Sequence, residues 1–171
     1  MTLATLSNNT ASGTSIFYLA NPSATGSVAI DFSAKSTVNG VGLGIASLNN
    51  SGNPIFFNDG VSASGTESIG ITVNNAGSFV MFAGDANTTA GNPTLNSPLT
   101  TIFAGPEDIG SNQAAAGYQN GVTTGSKTYS WNVPTEDAER GISVAAFSAV
   151  PEPSTALLGG LGLLCLLRRR R

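Results

Sequence analysis

The stretch TYSWNV at residues 128–133 decides the fold class, because its large apolar side chains alternate with small polar ones. A period of two residues places the apolar side chains on one face of an extended strand. The same alternation occurs in residues 27–32, 68–73 and 142–146. Residues 77–83 are apolar on both faces, which is typical of a central strand covered on both sides.

Turn-forming residues separate these segments at intervals of roughly ten residues. The clusters lie at residues 21–23, 49–54, 58–60 and 87–93, and residues 137–140 favour only a brief helical turn. Many short strands with such turns indicate an antiparallel sandwich. We therefore expect an all-β, antiparallel β-sandwich body of jelly-roll-like layout over residues 1–149. Residues 16–19, which are apolar throughout, are also expected to form a strand covered on both faces.

Composition excludes several classes of function. The chain has 171 residues, about one domain, and it contains one Cys and no His. Without His there is no Ser-His-Asp or Cys-His catalysis and no His-containing zinc site. A single Cys allows no internal disulfide. The formal net charge of -3 argues against a nucleic-acid partner, which needs a basic face.

Charge is distributed unevenly along the chain. Residues 1–150 hold nine of the ten acidic residues and three of the seven basic ones, so they carry −6. Residues 151–171 hold one acid and four arginines, so they carry +3. The sequence is therefore an acidic body followed by a short basic tail.

The tail, residues 150–171, reads VPEPSTALLGGLGLLCLLRRRR. Its two prolines prevent a helix from running through from the body. The uncharged run 154–167 predicts a helix of roughly 21 Å, short for a hydrocarbon core of about 30 Å. Snorkelling arginines and local thinning would let it cross a membrane, with the arginines in the cytoplasm.

A buried core helix explains the tail less well, because leucines surround the helix and leave no polar face. The predicted membrane segment comprises Ser154, Leu157, Leu158, Leu161, Leu163, Leu164, Leu166 and Leu167. The predicted cytoplasmic anchor comprises Arg168, Arg169, Arg170 and Arg171.

Pro-Glu-Pro, a Leu/Gly-rich run and a terminal Arg cluster, in that order, resemble the PEP-CTERM sorting signal of exosortase substrates. The resemblance covers residues 150–171. It implies export by a Gram-negative bacterium that makes extracellular polysaccharide, with the tail held transiently in the inner membrane. It also implies that exosortase recognises Val150, Pro151, Glu152 and Pro153 and cleaves there, so that Cys165 is removed with the tail. The body then reaches the cell surface or the extracellular matrix.

The beginning of the chain lacks the features of a signal peptide. Residues 1–19 contain no Lys or Arg and no continuous apolar core. We therefore expect Met1 to lie inside a longer protein, and a cytoplasmic, tail-anchored protein is the alternative. Residues 18–22, 40–46, 126–131 and 142–147 loosely resemble a secreted bacterial β-sandwich module whose earlier strands this chain lacks. That module is similar in layout to lectin-like jelly rolls, and no binding residues carry over from it.

Few side chains in the body suggest chemistry. The acids Glu107, Asp108, Glu136, Asp137 and Glu139 could supply the carboxyl pair of a glycosidase, but solvated loop acids are the favoured interpretation.

Two other groups of side chains allow a binding role. Asp85 with Asn87, or Asp59 with Asn58, could ligate Ca²⁺, although turn capping is favoured. Tyr129 and Trp131 share a face and could stack on a sugar, although a core position is favoured.

These observations predict a non-enzymatic, exported surface or extracellular-matrix protein that exosortase sorts through its tail. The body is expected to need no cofactor or metal and to contact extracellular polysaccharide through Ser/Thr/Asn-rich faces. The alternative is a carbohydrate-binding module or remnant of a secreted glycan-active protein. An enzyme that uses the acids named above is the third and least favoured hypothesis.

Overall fold

The computed structural model describes residues 2–8, 13–18, 55–64, 67–88, 91–106, 112–134 and 139–149. These residues form ten strands and no helix, and all of the strand pairs among them are antiparallel. In chain order the strands are β1 Thr2–Asn8, β2 Gly13–Tyr18, β3 Ile55–Ser64, β4 Ser68–Val73, β5 Ser78–Asn87, β6 Thr94–Leu95, β7 Thr100–Pro106, β8 Asn112–Val122, β9 Gly125–Asn132 and β10 Arg140–Ala149. The predicted all-β, antiparallel fold is confirmed, whereas the predicted helix over 154–167 lies outside the described residues.

A five-stranded sheet in the order β3-β10-β5-β8-β7 forms the middle of the molecule. In its centre, β10 pairs with β3 on one side and with β5 on the other. Most side chains of β5 and all the described ones of β10 are buried. Both strands are apolar on both faces because the sheet is covered on both faces, as the sequence predicts for residues 77–83.

A three-stranded sheet in the order β4-β9-β6 covers one face of the five-stranded sheet. Its alternating sequence gives alternating burial, so that Ile69, Ile71 and Val73 of β4 point inward. Tyr129 lies opposite Ile69 in the register of β4 and β9. The apolar side chains of the alternating pattern therefore form the inward face of this sheet, and the small polar ones form its outward face.

One apolar core fills the space between these two sheets. Trp131 of β9 meets Phe82 of β5 edge-on, with ring centroids 6.2 Å apart. Most connections pass from one sheet to the other, which supports the predicted sandwich. The buried residues of this core are Ile69, Ile71, Val73, Val80, Phe82, Ala86, Ala115, Val122, Tyr129, Trp131, Val133, Ile142, Val144 and Ala146.

A β1–β2 hairpin covers the second face of the five-stranded sheet, which adds a third layer to the sandwich. Ile16 of β2 packs in an apolar cluster with Phe79, Met81, Ala145 and Phe147. Because this layer covers β5 and β10 from outside, both strands lose contact with water on both faces.

Polar bonds hold the same hairpin in place. Thr14 Oγ1 donates to Ser143 Oγ at 2.8 Å, and this bond is buried. The backbone N–H of Gly13 donates to Asp85 Oδ2 at 3.0 Å. These bonds fix the start of β2 over β10 and β5, because buried polar groups require partners.

The structure differs from the sequence prediction in three places. Residues 58–60, expected to form a turn, lie within β3, where Gly60 pairs with Ala145. Arg140, expected in a helical turn, begins β10. Residues 16–18 belong to β2, which is buried on one face only, with Phe17 exposed. In the first two cases pairing with a distant strand outweighs the local preference. In the third case β2 belongs to an outer hairpin, which is covered by the five-stranded sheet on one face only. The strand predicted at 27–32 and residues 40–46 of the module resemblance lie outside the described residues.

Candidate sorting site and its attachment to the body

The residues predicted to carry the sorting function lie beyond the last described strand. The sorting residues Val150–Pro153, the membrane segment 154–167 and the anchor 168–171 are all outside the described residues. The described chain ends at Ala149, the last residue of β10. The structure describes strand β10, the part of the body to which the tail is attached.

The tail is joined to a central strand and not to an edge. Residues 140–148 of β10 are all buried. The pairing with β5 extends to Phe147, opposite Phe79, and the pairing with β3 extends to Ala149, opposite Ile55. Two ladders of hydrogen bonds therefore hold the strand almost to its last residue.

Aromatic rings cluster on the hairpin side of the end of β10 from which the tail leaves. Phe147 contacts Tyr18 of β2 edge-on at 5.8 Å between ring centroids. It also lies 6.4 Å from Phe79 of β5, which in turn stacks on Tyr118 of β8 at 5.7 Å. Aromatic contacts of this kind add to the free energy gained by burial. We call this end of β10 the exit end.

The opposite end of β10 is charged. Arg140 Nη1 lies 2.8 Å from Glu67 Oε1, with the Arg140 side chain 9% exposed and the Glu67 side chain 39% exposed. Glu67 directly precedes β4, so this ion pair links the two large sheets. The N–H of Asn87 donates to the carbonyl of the neighbouring Glu139 at 2.9 Å. At about 3.3 Å per residue, this end lies roughly 30 Å from the exit end.

Tyr129 and Trp131 are core residues, each about 1% exposed. The favoured prediction is thus confirmed, and the alternative of a sugar-stacking platform is wrong because neither ring reaches solvent. The Tyr129 hydroxyl donates to Gln119 Oε1 at 2.8 Å, which links β9 to β8. Burial raises the pKa of Tyr129 from 10.0 to about 12.

The sequence favours turn capping for Asp85, and this prediction is wrong. Asp85 lies buried within β5 and accepts the N–H of Gly13. Its partner in the calcium hypothesis, Asn87, is exposed at the end of the same strand. Asn58 and Asp59, the other proposed pair, lie within β3. Within the described ranges, no three residues of the types His, Cys, Asp and Glu come together in a group that could hold a metal ion.

Of the acids considered for glycosidase chemistry, only Glu139 falls in the part of the chain that the structure describes, and it is exposed. Glu107, Asp108, Glu136 and Asp137 lie outside it. No two acids of this set therefore fall together within the described residues. No helix among the described residues has the length and apolar character needed to cross a membrane.

A surface without charged side chains lies on the outside of the three-stranded sheet. In the register of β4 and β9, Ser68 faces Ser130, Gly70 faces Thr128 and Thr72 faces Ser126. Asn96 Nδ2 donates to Ser130 Oγ at 3.0 Å at its margin. We call this surface the hydroxyl face; its residues are Ser68, Gly70, Thr72, Thr94, Ser126, Thr128, Ser130 and Asn132.

Comparison with known proteins identifies the tail. Residues 149–171 match the PEP-CTERM protein-sorting motif. The match begins at Ala149, one residue before the boundary predicted from the sequence, so the motif starts where the sheet ends. No curated protein and no solved structure matches the chain with significance. The chain therefore carries a PEP-CTERM protein-sorting motif, which marks it for export and for membrane-associated sorting by exosortase toward the cell surface.

Proposed function

We propose that this chain is a non-enzymatic surface or extracellular-matrix protein of a Gram-negative bacterium, with a jelly-roll-like sandwich body that contacts extracellular polysaccharide. The observation that carries the sorting part of the proposal is the direct junction between the sorting motif and β10. A tail attached to a central strand delivers the body as a folded unit, because the strand is held by neighbours on both sides and on both faces.

In this proposal the tail acts before the body. Residues 154–167 cross the inner membrane as a short helix, and Arg168–Arg171 hold its end in the cytoplasm. Exosortase recognises Val150–Pro153 outside the membrane and cleaves there. Cleavage removes Cys165 with the tail, and the remaining body contains no cysteine.

The sorting step is tested by substitution in cells that contain exosortase. We expect Glu152→Ala and Pro153→Ala each to abolish removal of the tail. Glu139→Ala is the matched control, because Glu139 is an exposed acid of the body at the opposite end of β10. Processing of the Glu152 and Pro153 variants at the control's rate would contradict the assignment of these residues.

The hydroxyl face supports contact with polysaccharide. Each Ser and Thr side chain on it offers one hydrogen-bond donor and an acceptor oxygen, which matches the hydroxyl groups of sugars. It carries no charge, and residues 1–150 are acidic as a whole. We therefore propose weak contact with neutral polysaccharides and none with acidic ones, which the net charge of the body repels.

Retention of the chain on immobilised cellulose, dextran and alginate tests this step. We expect weak retention on the two neutral polymers and none on alginate. Thr72→Val combined with Thr128→Val removes two hydroxyls at nearly constant shape and should reduce the retention. Thr101→Val, at an exposed position of β7, should not reduce it. Equal retention of both variants would contradict a role for the hydroxyl face.

Retention on the same immobilised polymers, together with an assay for their turnover, distinguishes this proposal from the two alternatives. Strong retention on one polymer alone would favour a carbohydrate-binding module. Turnover of a polysaccharide, abolished by replacing Glu107, Asp108, Glu136, Asp137 or Glu139, would favour an enzyme. The burial of Tyr129 and Trp131 weighs against the carbohydrate-binding module, and the absence of His from the chain excludes His-dependent catalysis.

A further inference from the structure

An apolar patch lies on the outer face of the β1–β2 hairpin. Leu3 is 46% exposed, Leu6 is 50% exposed and Phe17 is 52% exposed. Leu3 and Phe17 are directly opposite each other in the register of the two strands, and Leu6 pairs with Ser15 on the same face. We call Leu3, Leu6 and Phe17 the apolar patch. Large apolar side chains grouped on one exposed face mark an interaction surface.

The patch lies near the exit end of β10. Thr14, at the start of β2, binds Ser143 in the middle of β10, and Tyr18, at the end of β2, contacts Phe147. The hairpin strand β2 therefore runs in the same direction as β10 in the layer below it. Phe17 precedes Tyr18, so Phe17 and its partner Leu3 lie over the part of the sheet from which the tail leaves.

The tail is too short to carry the body far from the membrane. Ser154, the first residue of the membrane segment, comes five residues after Ala149. A fully extended chain of this length spans at most about 18 Å. While the tail is inserted, the exit end of the body is held at the membrane surface.

The hairpin can approach a lipid surface without burying charge. Residues 1–30 contain no Asp, Glu, Lys or Arg, so both strands of the hairpin are uncharged. The exposed Glu139 and the Arg140–Glu67 pair lie at the far end of β10. The side chains of the hairpin itself therefore incur no burial of charge, which is the largest cost of placing protein against hydrocarbon.

From this arrangement we infer that the apolar patch rests on the lipid surface while the tail is inserted, so that the hairpin is a membrane-contacting face of the uncleaved protein. This inference rests on the proposed membrane insertion of residues 154–167. It sets the orientation of the body. The hairpin and the hydroxyl face cover opposite sides of the layered sheets, so the hydroxyl face points away from the membrane. Cleavage of the tail ends the tether and lets the patch leave the lipid.

Quenching of tryptophan fluorescence by lipid tests this inference on the full chain. The chain is reconstituted into phosphatidylcholine vesicles that contain lipids with a nitroxide at a shallow acyl position. Phe17→Trp reports on the apolar patch, Thr72→Trp reports on the hydroxyl face, and Leu161→Trp reports on the tail. The native Trp131 is buried and serves as the background.

We expect quenching of Trp at positions 17 and 161, little change at position 72, and no change in the parent chain. Adding Leu3→Ser to Phe17→Trp should weaken binding of the patch to lipid about fivefold and reduce quenching at position 17. Quenching at 161 without quenching at 17 would overturn the inference and leave tail insertion standing. No quenching at 161 would overturn both. A blue shift at 17 without quenching would assign the patch to contact with a second copy of the chain and would overturn the inference.

Discussion

At the scale of single residues, the fit of Trp131 between the sheets depends on the absence of a side chain at position 84. A Cβ atom at Gly84 would lie 2.9 Å from Cε3 of the indole ring. Real Cβ atoms do not approach other atoms so closely, and the tryptophan is buried in the core between the two sheets. Gly84 and Trp131 therefore form a complementary pair across the core.

We predict that Gly84→Ala lowers the free energy of unfolding by about 1–3 kcal/mol, because overpacking forces the indole or the backbone to shift. Urea unfolding followed by Trp131 fluorescence measures the change. Gly70→Ala is the control, since the nearest atom to its added Cβ is the Lys127 carbonyl oxygen at 3.9 Å. Equal midpoints for the two variants would contradict the close packing.

Because burial raises the pKa of Tyr129, we predict that the free energy of unfolding decreases at high pH. Its pKa is 10.0 in ordinary surroundings and about 12 in the folded chain, because burial disfavours the charged form. Between these values the unfolded chain loses the proton and the folded chain keeps it, so stability present below pH 10 falls as the pH approaches 12. The loss attributable to this group is about 2 kcal/mol.

The measurement is the free energy of unfolding as a function of pH for the parent chain and for Tyr129→Phe. The variant lacks the hydrogen bond to Gln119, so it should be less stable at neutral pH. Its stability should, however, fall less steeply than that of the parent above pH 10. Parallel curves for the two proteins would show that Tyr129 does not titrate in this way.

Residue positions were predictable from the sequence where a local pattern sets them. The alternation around Trp131 predicts its burial, but its partner Gly84 lies 47 residues away and carries no local signal. For Asp85, the local sequence pattern gives a wrong prediction. Its type and neighbours favour a turn, whereas pairing with Ala114 and Gly141 places it inside a strand, where its carboxylate accepts the N–H of the distant Gly13.

At the scale of elements, the β1–β2 hairpin is a layer attached mainly by side chains. It packs through Ile16, hydrogen-bonds through Thr14 and Gly13, and contacts the exit end of β10 through Tyr18. Strands β5 and β10, in contrast, pair with neighbours on both sides. The hairpin is therefore the unit that we expect to open at a lower free energy than the central sheet.

We predict that Ile16→Ala weakens this docking by about 2 kcal/mol, because it removes buried methyl groups and leaves a cavity. Amide hydrogen exchange should show faster exchange across β1 and β2, with β5 and β10 little changed. Phe17→Ala, on the exposed face of the same strand, should cost less than about 1 kcal/mol. Equal loss of protection in the hairpin and in the central sheet would show that the hairpin does not open separately.

Strands were predictable from the sequence where large apolar side chains recur in a regular pattern. Strands β4, β5, β9 and β10 follow from such patterns. Strand β8 does not, because its buried centre is Ala114–Ala116, and small side chains give little periodic signal. Strand β1 is mostly polar and is recognisable only through its pairing with β2. The sequence of one strand alone does not show which other strand it pairs with.

At the scale of the whole molecule, the layers have different roles in the account. The hydroxyl face forms one outer surface, and the apolar patch forms the other. Between them lies the five-stranded sheet, in which the interior strand β10 continues into the sorting motif at residues 149–171. The tail could be identified from sequence because its signal is a short contiguous motif, whereas the hairpin layer depends on contacts between distant segments.

The most direct test of the central claim is the intact mass of the protein exported by cells with and without exosortase. With exosortase, we predict a body whose C-terminus lies within Val150–Pro153, so that the mass lacks the membrane segment and the four arginines. Without exosortase, we predict the uncleaved chain in the membrane fraction. An exported protein that retains Arg171 in the presence of exosortase would contradict the account.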